Sequence, residues 1–313
     1  MRILVYLDGK SDSQKVLSFA AALKNRLGAE LAVVSIQSGT QAIEEWPSPG
    51  VPLPLKEKNR LPAGLRLLVQ ALETFTADGL LIPQPSITIR DIPLGHLFLG
   101  TTPVGERLPF YACFGHVMET LNHMVNEQSF QLVIASPPWR PGFSRLFPGD
   151  ITRKLILDLH TSILFVRSGG PDDRYIVCAD GSPSSRRVFP FLKHLLPAVK
   201  DPLEILWVKK PEAAEEAVQT AEECLVHADE WLRNCGKTLV LHQLQSARPA
   251  DLILQTAGGQ AVIVLGASLR HDLIRRLKGS LPLEIIAKTE ASVLLVKLPH
   301  EADVEFFKAP FTC

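Results

Sequence analysis

Two segments of this chain, 172 residues apart, spell the same pattern. RILVYLDGKSDSQKVLSFAAAL begins at Arg2 and RYIVCADGSPSSRRVFPFLKHL begins at Arg174. Each reads as a short apolar strand, an Asp-Gly turn, a Ser-rich helix start and an apolar-striped helix. The ends of the halves match as well. QLVIAS (131–136) corresponds to AVIVLGAS (261–268), and TSILFVR (161–167) to ASVLLVK (291–297). The offset there is only 130 or 131, so the first copy carries about 40 extra residues in its middle. Matching strands that alternate with helices imply a duplication, and 313 residues suffice for two cores of about 100–150 residues each.

The second copy is legible from end to end. Strands are expected at 175–179, 203–208, 238–244, 261–266 and 293–298. Helices are expected at 184–196, 212–235, 250–257 and 282–288. Strands that are apolar throughout and separated by helices indicate a parallel sheet covered on both faces. The fold expectation is therefore α/β: two tandem Rossmann-like domains of the adenine-nucleotide-hydrolase type. Each has a mainly parallel five-stranded sheet with helices on both faces. The domains are placed at 1–170 and 171–300, followed by a tail at 301–313.

The first copy begins the same way, with a strand at 3–7, a helix at 13–27 and a strand at 31–36. It then departs through a long insertion around 40–110. WPSPGVPLPLKEKNRLP (46–62) holds five prolines and reads as a surface loop. A helix over 63–77 precedes a Pro- and Gly-broken stretch from 79 to 109. A helix around 113–127 and a strand at 131–135 follow. LGHLFLG (94–100) is apolar enough to cover a surface or contact a partner.

Several function classes are excluded early. Thirty-three basic residues balance 33 acidic ones, so bulk charge gives no reason to expect a nucleic-acid partner or an anionic membrane surface. Neutrality also removes a repulsive brake on self-association, which permits a homo-oligomer. No stretch reaches the ~20 apolar residues of a membrane span, and the N-terminus reads as a strand rather than a signal peptide. The expected location is the cytoplasm. The five cysteines form no CxxC pair and argue against a cysteine zinc site or a disulfide framework. Cys178 reads as a small buried hydrophobe.

In parallel sheets ligands bind beyond the C-terminal strand ends, where the strand order reverses. Two segments of the second copy converge there. The first is Ala179-Asp180-Gly181-Ser182, whose carboxylate can accept ribose or base hydrogen bonds; Asp-Gly is equally a common turn pair. The second is GASLRHDLIRRLKGS (266–280), which leads into the helix LPLEIIAK. Free amides at that helix start, the Ser280 hydroxyl and nearby Arg270, Arg275, Arg276 and Lys278 could form a phosphate cradle. The alternative is a solvated basic turn.

With these residues the chain resembles the universal stress protein family in its tandem two-domain form. Nucleotide-binding members of that family carry Gly, two residues, Gly, nine residues, Gly and then Ser or Thr after the fourth strand. They also carry an Asp near the end of strand one. Asp180 matches that Asp, Gly266 the first glycine, and Gly279-Ser280 the final pair. Leu269 stands where the middle glycine is expected, and His271-Asp272 add side chains to the loop. In the first copy Asp8 is kept. The loop there, ASPPWRPGFSRLFPGD (135–150), has Ala135 and Pro138 at the first two glycine positions and Asp150 in place of the hydroxyl residue. Proline removes an amide and aspartate repels phosphate, so the first copy is expected not to bind. The resemblance implies ATP, with Mg²⁺, or a related nucleotide in the second copy. The residues expected to hold it are Ala179, Asp180, Gly181, Val208, Gly266, Arg270, Gly279, Ser280 and Leu281. It also implies that the fifth strands, 163–167 and 293–298, meet across an internal pseudo-dimer.

No catalytic motif accompanies this site: there is no HExxH, no nucleophile elbow and no P-loop. His227 and Asp229 do not share a helix face. His271-Asp272 is more suggestive because it sits in the ligand loop, although adjacent side chains diverge; His116 and His123 could share a helix face but lie two turns apart. Weak ATP hydrolysis is conceivable, but no general base stands out. The expected role is a nucleotide-responsive regulator that contacts a protein partner. The alternative is a nucleotide-free scaffold or interaction module that retains the fold.

Overall fold

The computed structural model describes residues 1–9, 13–38, 46–137, 150–168, 170, 172–267 and 281–298. The chain divides into two compact units, Met1–Pro138 and Trp139–Cys313.

The first unit opens with β1 (Arg2–Leu7), α1 (Ser13–Leu27) and β2 (Glu30–Gln37). The insertion follows as β3 (Pro52–Pro54), a 3-10 helix (Leu55–Arg60), α2 (Ala63–Ala77), β4 (Ser86–Thr88), β5 (Arg90–Ile92) and β6 (Gly95–Thr101). The unit closes with β7 (Arg107–Phe114), α3 (Val117–Glu127) and β8 (Leu132–Ala135). Its main sheet runs β8-β1-β2-β7-β6-β5, and β3 pairs with β4 separately. β1 is parallel to β2 and β8, and β2 is parallel to β7. β6 and β5 extend this sheet antiparallel.

The stretch expected to be broken chain holds four strands, and the helix expected from about residue 113 is strand through Phe114. The signal is present in RLPFYACF, whose burial runs nearly alternately along β7, the period of a strand. Pro109 disguised it. That proline precedes the ladder with β2, which begins at Phe110, so its missing N–H breaks no bond there.

The second unit contains α4 (Asp150–Asp158) and β9 (Ser162–Phe165), which belong to the first repeat by sequence. It continues with β10 (Arg174–Cys178), α5 (Pro183–Arg186), α6 (Val188–Leu195) and β11 (Leu203–Lys209). Next come α7 (Glu215–Asn234), β12 (Leu239–Gln245), α8 (Pro249–Ala257) and β13 (Ala261–Gly266). The last described elements are α9 (Leu281–Lys288) and β14 (Ser292–Val296). Its sheet runs β12-β11-β10-β13-β14-β9. The five strands of the repeat are parallel, and β9 joins as a sixth, antiparallel to β14. The class is thus the expected α/β fold, with six strands rather than five in each unit's main sheet. β10, β13 and β14 are buried at consecutive positions, which requires cover on both faces of the sheet.

The duplication is visible at the level of single glycines. Gly9 and Gly181 hold φ of +70° and +74° in equivalent Asp-Gly turns. A Cβ on Gly9 would lie 2.8 Å from Leu67 of α2, and one on Gly181 would lie 2.7 Å from the Ala221 backbone of α7. Only glycine meets both demands, left-handed backbone and close approach to the helix that follows strand two. The fifth strands also meet as expected: Leu164 faces Leu294, flanked by Ile163–Leu295 and Phe165–Val293.

Candidate functional site

In the second unit the strand order reverses between β10, which turns toward β11, and β13, which turns toward β14. A cleft of ≈ 540 Å³ opens at the C-terminal ends of these strands. That is the place a doubly wound sheet offers a ligand, because the helices leave in opposite directions there.

The floor is apolar, formed by Ala179, Leu206, Val208, Ile253 and Leu265. The rim is polar. Asp180, Ser182 and Ser184 come from the turn after β10, Lys210 from the end of β11, and Arg248 from the start of α8. Leu281, Pro282 and Glu284 bring the first turn of α9 to the same opening. Arg248 pairs with Asp251 at 2.6 Å and Glu284 with Lys288 at 2.6 Å.

The turn after β10 is tightly wired. Asp180 Oδ1 accepts the Ser182 amide at 3.0 Å, and Ser185 Oγ accepts the Asp180 amide at 3.3 Å. Ser182 caps α5 by accepting the Ser185 amide at 3.3 Å, while its hydroxyl lies 3.2 Å from that of Ser184. Arg186 Nε donates to the Gly181 carbonyl at 2.7 Å. Asp180 therefore closes an Asx turn with one oxygen while standing on the cleft rim.

Of the residues expected from sequence, Ala179, Asp180, Val208, Gly266 and Leu281 all line this cleft. Gly181 lies in the adjoining turn. Arg270, Gly279 and Ser280 lie outside the described residues, as do Pro138, Trp139 and the tail 301–313. Gly266 carries a structural reason of its own: a Cβ there would sit 1.9 Å from the Ser184 carbonyl oxygen. The room that this glycine provides is taken by α5.

Sequence reasoning missed Ser184, Lys210, Arg248 and Glu284. The signal for Arg248 was available in RPAD (248–251), a helix start directly after strand three, since in this topology helix starts and strand ends share one side of the sheet. Glu284 sits three residues inside a helix whose start had been found.

None of the cleft's described lining residues is a histidine. Its serines bond one another and the backbone rather than a base. Burial, with Asp180 nearby, pushes the Cys178 thiol up to about 12, so it stays protonated and unreactive. Among the described residues no group of three His, Cys, Asp or Glu side chains is placed to hold a metal ion, and no helix is long and apolar enough to cross a membrane.

In the first unit aromatic side chains gather at the end of β7, with His96 of β6 and Trp46 beside Phe114. Trp46 stacks on His96 at 4.9 Å, and Phe114 meets both rings edge-on.

No protein-family model matches the sequence, and no curated protein matches it either. Solved structures do match its fold. A universal stress protein from Archaeoglobus fulgidus DSM 4304 superposes with a TM-score of 0.63 at 16% identity, over 95% of this chain and 98% of that one. A functionally unknown protein from Pseudomonas aeruginosa PAO1 gives 0.60 at 14% identity, over 97% of this chain and 95% of that one. The fold read from the repeats thus extends over nearly the whole chain.

Proposed function

We propose that this chain, built on the universal stress protein fold, is a cytoplasmic regulatory protein that takes up ATP or a related nucleotide in the second unit. The observation that carries this reading is the cleft at the strand-order reversal. It combines an apolar floor in a cleft of ≈ 540 Å³, a carboxylate on its rim and the first turn of a helix at its mouth. Binding would reach a protein partner only if the partner's surface differs between empty and filled states.

A scaffold without a nucleotide is the second reading, and Glu284 favours it. A carboxylate in the first turn of α9 satisfies the helix dipole that a phosphate would otherwise use. The two readings separate in a titration of ATP with Mg²⁺ into full-length protein stripped of small molecules, followed by calorimetry. Saturable heat near one ATP per chain, lost on Val208→Trp and weakened on Asp180→Ala, supports the nucleotide reading. Absence of heat at two temperatures, with no nucleotide retained on the protein, supports the scaffold.

A further inference from the structure

The two repeats differ in how their third strands end the sheet. β7 and β12 hold the same place, each parallel to the second strand of its repeat. On the outer edge of β7 lies β6, antiparallel, in a seven-pair register from Gly95–Cys113 to Thr101–Arg107. On the outer edge of β12 no strand pairs among the described residues.

Within β12 itself the usual protections of an edge strand are missing. In the first unit the terminal strand is β5, only three residues long and carrying Arg90 and Asp91. β12 is seven residues of LVLHQLQ, with no proline, lysine or acidic side chain. Val240, Leu241 and Leu244 are 37%, 39% and 37% exposed, unlike the buried central strands.

We infer that the outer edge of β12 is a pairing surface for a second copy of this chain, joined by antiparallel β12–β12 pairing about a two-fold axis at His242. The first repeat supplies the precedent, since an antiparallel strand of equal length already fits this position of the fold. The sequence of β12 supplies the partner. Only a register centred on His242 pairs all seven residues with their copies. It sets Val240 opposite Leu244 of the partner subunit twice, on one face, with His242 opposite its own copy on the axis. His242 is held at 2.9 Å from Glu204 of its own chain and leaves the edge amides to the neighbour. The net charge of zero adds no long-range repulsion.

The test is sedimentation velocity of the full chain over a range of concentrations, with hydrogen exchange read on β12. The expected result is a concentration-dependent dimer of twice 34.5 kDa, with β12 amides protected only as the dimer forms. Val240→Lys/Leu244→Lys places like charges opposite each other and should raise the dimer dissociation constant at least about tenfold. Val240→Lys/Leu244→Glu places opposite charges there and should restore the dimer. A monomer at every concentration overturns the inference, whether β12 exchanges freely or is protected by the chain's own residues. A dimer that ignores the double-lysine variant, or that the Lys/Glu variant fails to restore, overturns it equally. Circular dichroism of both variants, altered only at exposed positions, confirms that folding is retained.

Discussion

Arg167 and Lys297, equivalent residues 130 positions apart, each cross the β9–β14 pair to close the last helix of the other repeat. Lys297 Nζ donates to the carbonyls of Leu155 and Leu159 at 3.2 and 2.7 Å, at the end of α4. Arg167 donates to the carbonyls of Ile286 and Thr289 at 2.7 and 2.9 Å, at the end of α9. The backbone repeats the exchange. The Lys297 amide bonds Ser162 Oγ, and the Arg167 amide bonds Ser292 Oγ. The last carbonyls of a helix lack partners within it, so the donors of Lys297 and Arg167 satisfy acceptors that would otherwise be buried unpaired.

Lys297 should make stability depend on alkaline pH. Its side chain is buried, and desolvation pulls its amine from 10.5 down to about 7, with Asp158 opposing. The folded value lies below the unfolded one, so the unfolded chain binds more protons between them. Stability from this group is complete above about 10.5 and is lost as pH falls toward about 7. The difference in unfolding free energy between wild type and Lys297→Met should rise across that window, by up to about 1.4 kcal/mol per pH unit. Denaturant melts at several pH values measure it, and a flat difference would mean that the ammonium is solvated.

Arg167→Met should behave differently. Burial lowers the Arg167 guanidinium only to about 10, so it stays charged at neutral pH. Its loss strands the Ile286 and Thr289 carbonyls, at a cost of about 2–4 kcal/mol. The cost should be constant from pH 6 to pH 8 in the same melts. A change under about 0.5 kcal/mol, the scale of a surface substitution, would show that water replaces the guanidinium.

The second repeat was legible because its central strands are buried on both faces and bounded by helices, so hydrophobic runs coincide with elements. Strand four, 261–266, was read to the residue. The first repeat was harder because its additions sit at the sheet margin, where strands are short, half-exposed and broken by glycine and proline. Gly95 and Gly100 in β6 looked like loop residues. Yet a Cβ on Gly95 would fall 2.2 Å from the Ala112 carbonyl oxygen, so strand pairing itself demands that glycine. At the cleft, Asp180 and Gly266 are legible from their place at the ends of apolar strands, and Val208 enters only with the family resemblance. Arg248 and Glu284 were missed because their role depends on which helix starts face the same opening, a property of packing. The double role of Gly266 was invisible for the same reason: Ser184 is 82 positions away in sequence and touches it in space.

That contact gives a third prediction. Gly266→Ala would set a methyl group 1.9 Å from the Ser184 carbonyl oxygen, against backbone that cannot swing aside. The substitution should destabilise the protein by about 3 kcal/mol or more. Gly259→Ala, whose nearest neighbour would be the Glu290 carboxylate at 3.6 Å, should cost no more than about 1 kcal/mol. Thermal melts of the two variants decide it, and equal melting points would mean that α5 does not press on β13.

Glu204 gives the fourth. Its largely buried carboxylate accepts Arg174 Nε and Nη2 at 2.6 and 2.7 Å and lies 2.9 Å from His242 Nε2. The Arg174 hydrogen bonds, helped by His242 and opposed by burial, hold it below its usual 4.5. A carboxylate lowered in the folded state stabilises above its unfolded value, and that contribution disappears as pH falls through the folded value. Glu204→Gln leaves Arg174 and His242 without their shared anion and should cost about 2–3 kcal/mol at neutral pH. The deficit relative to wild type should shrink as the melts are repeated below pH 4.5, because the wild-type carboxylate is then itself neutralised. A deficit that stays constant down to pH 3 would show that the site depends on the shape of the side chain and not on its charge.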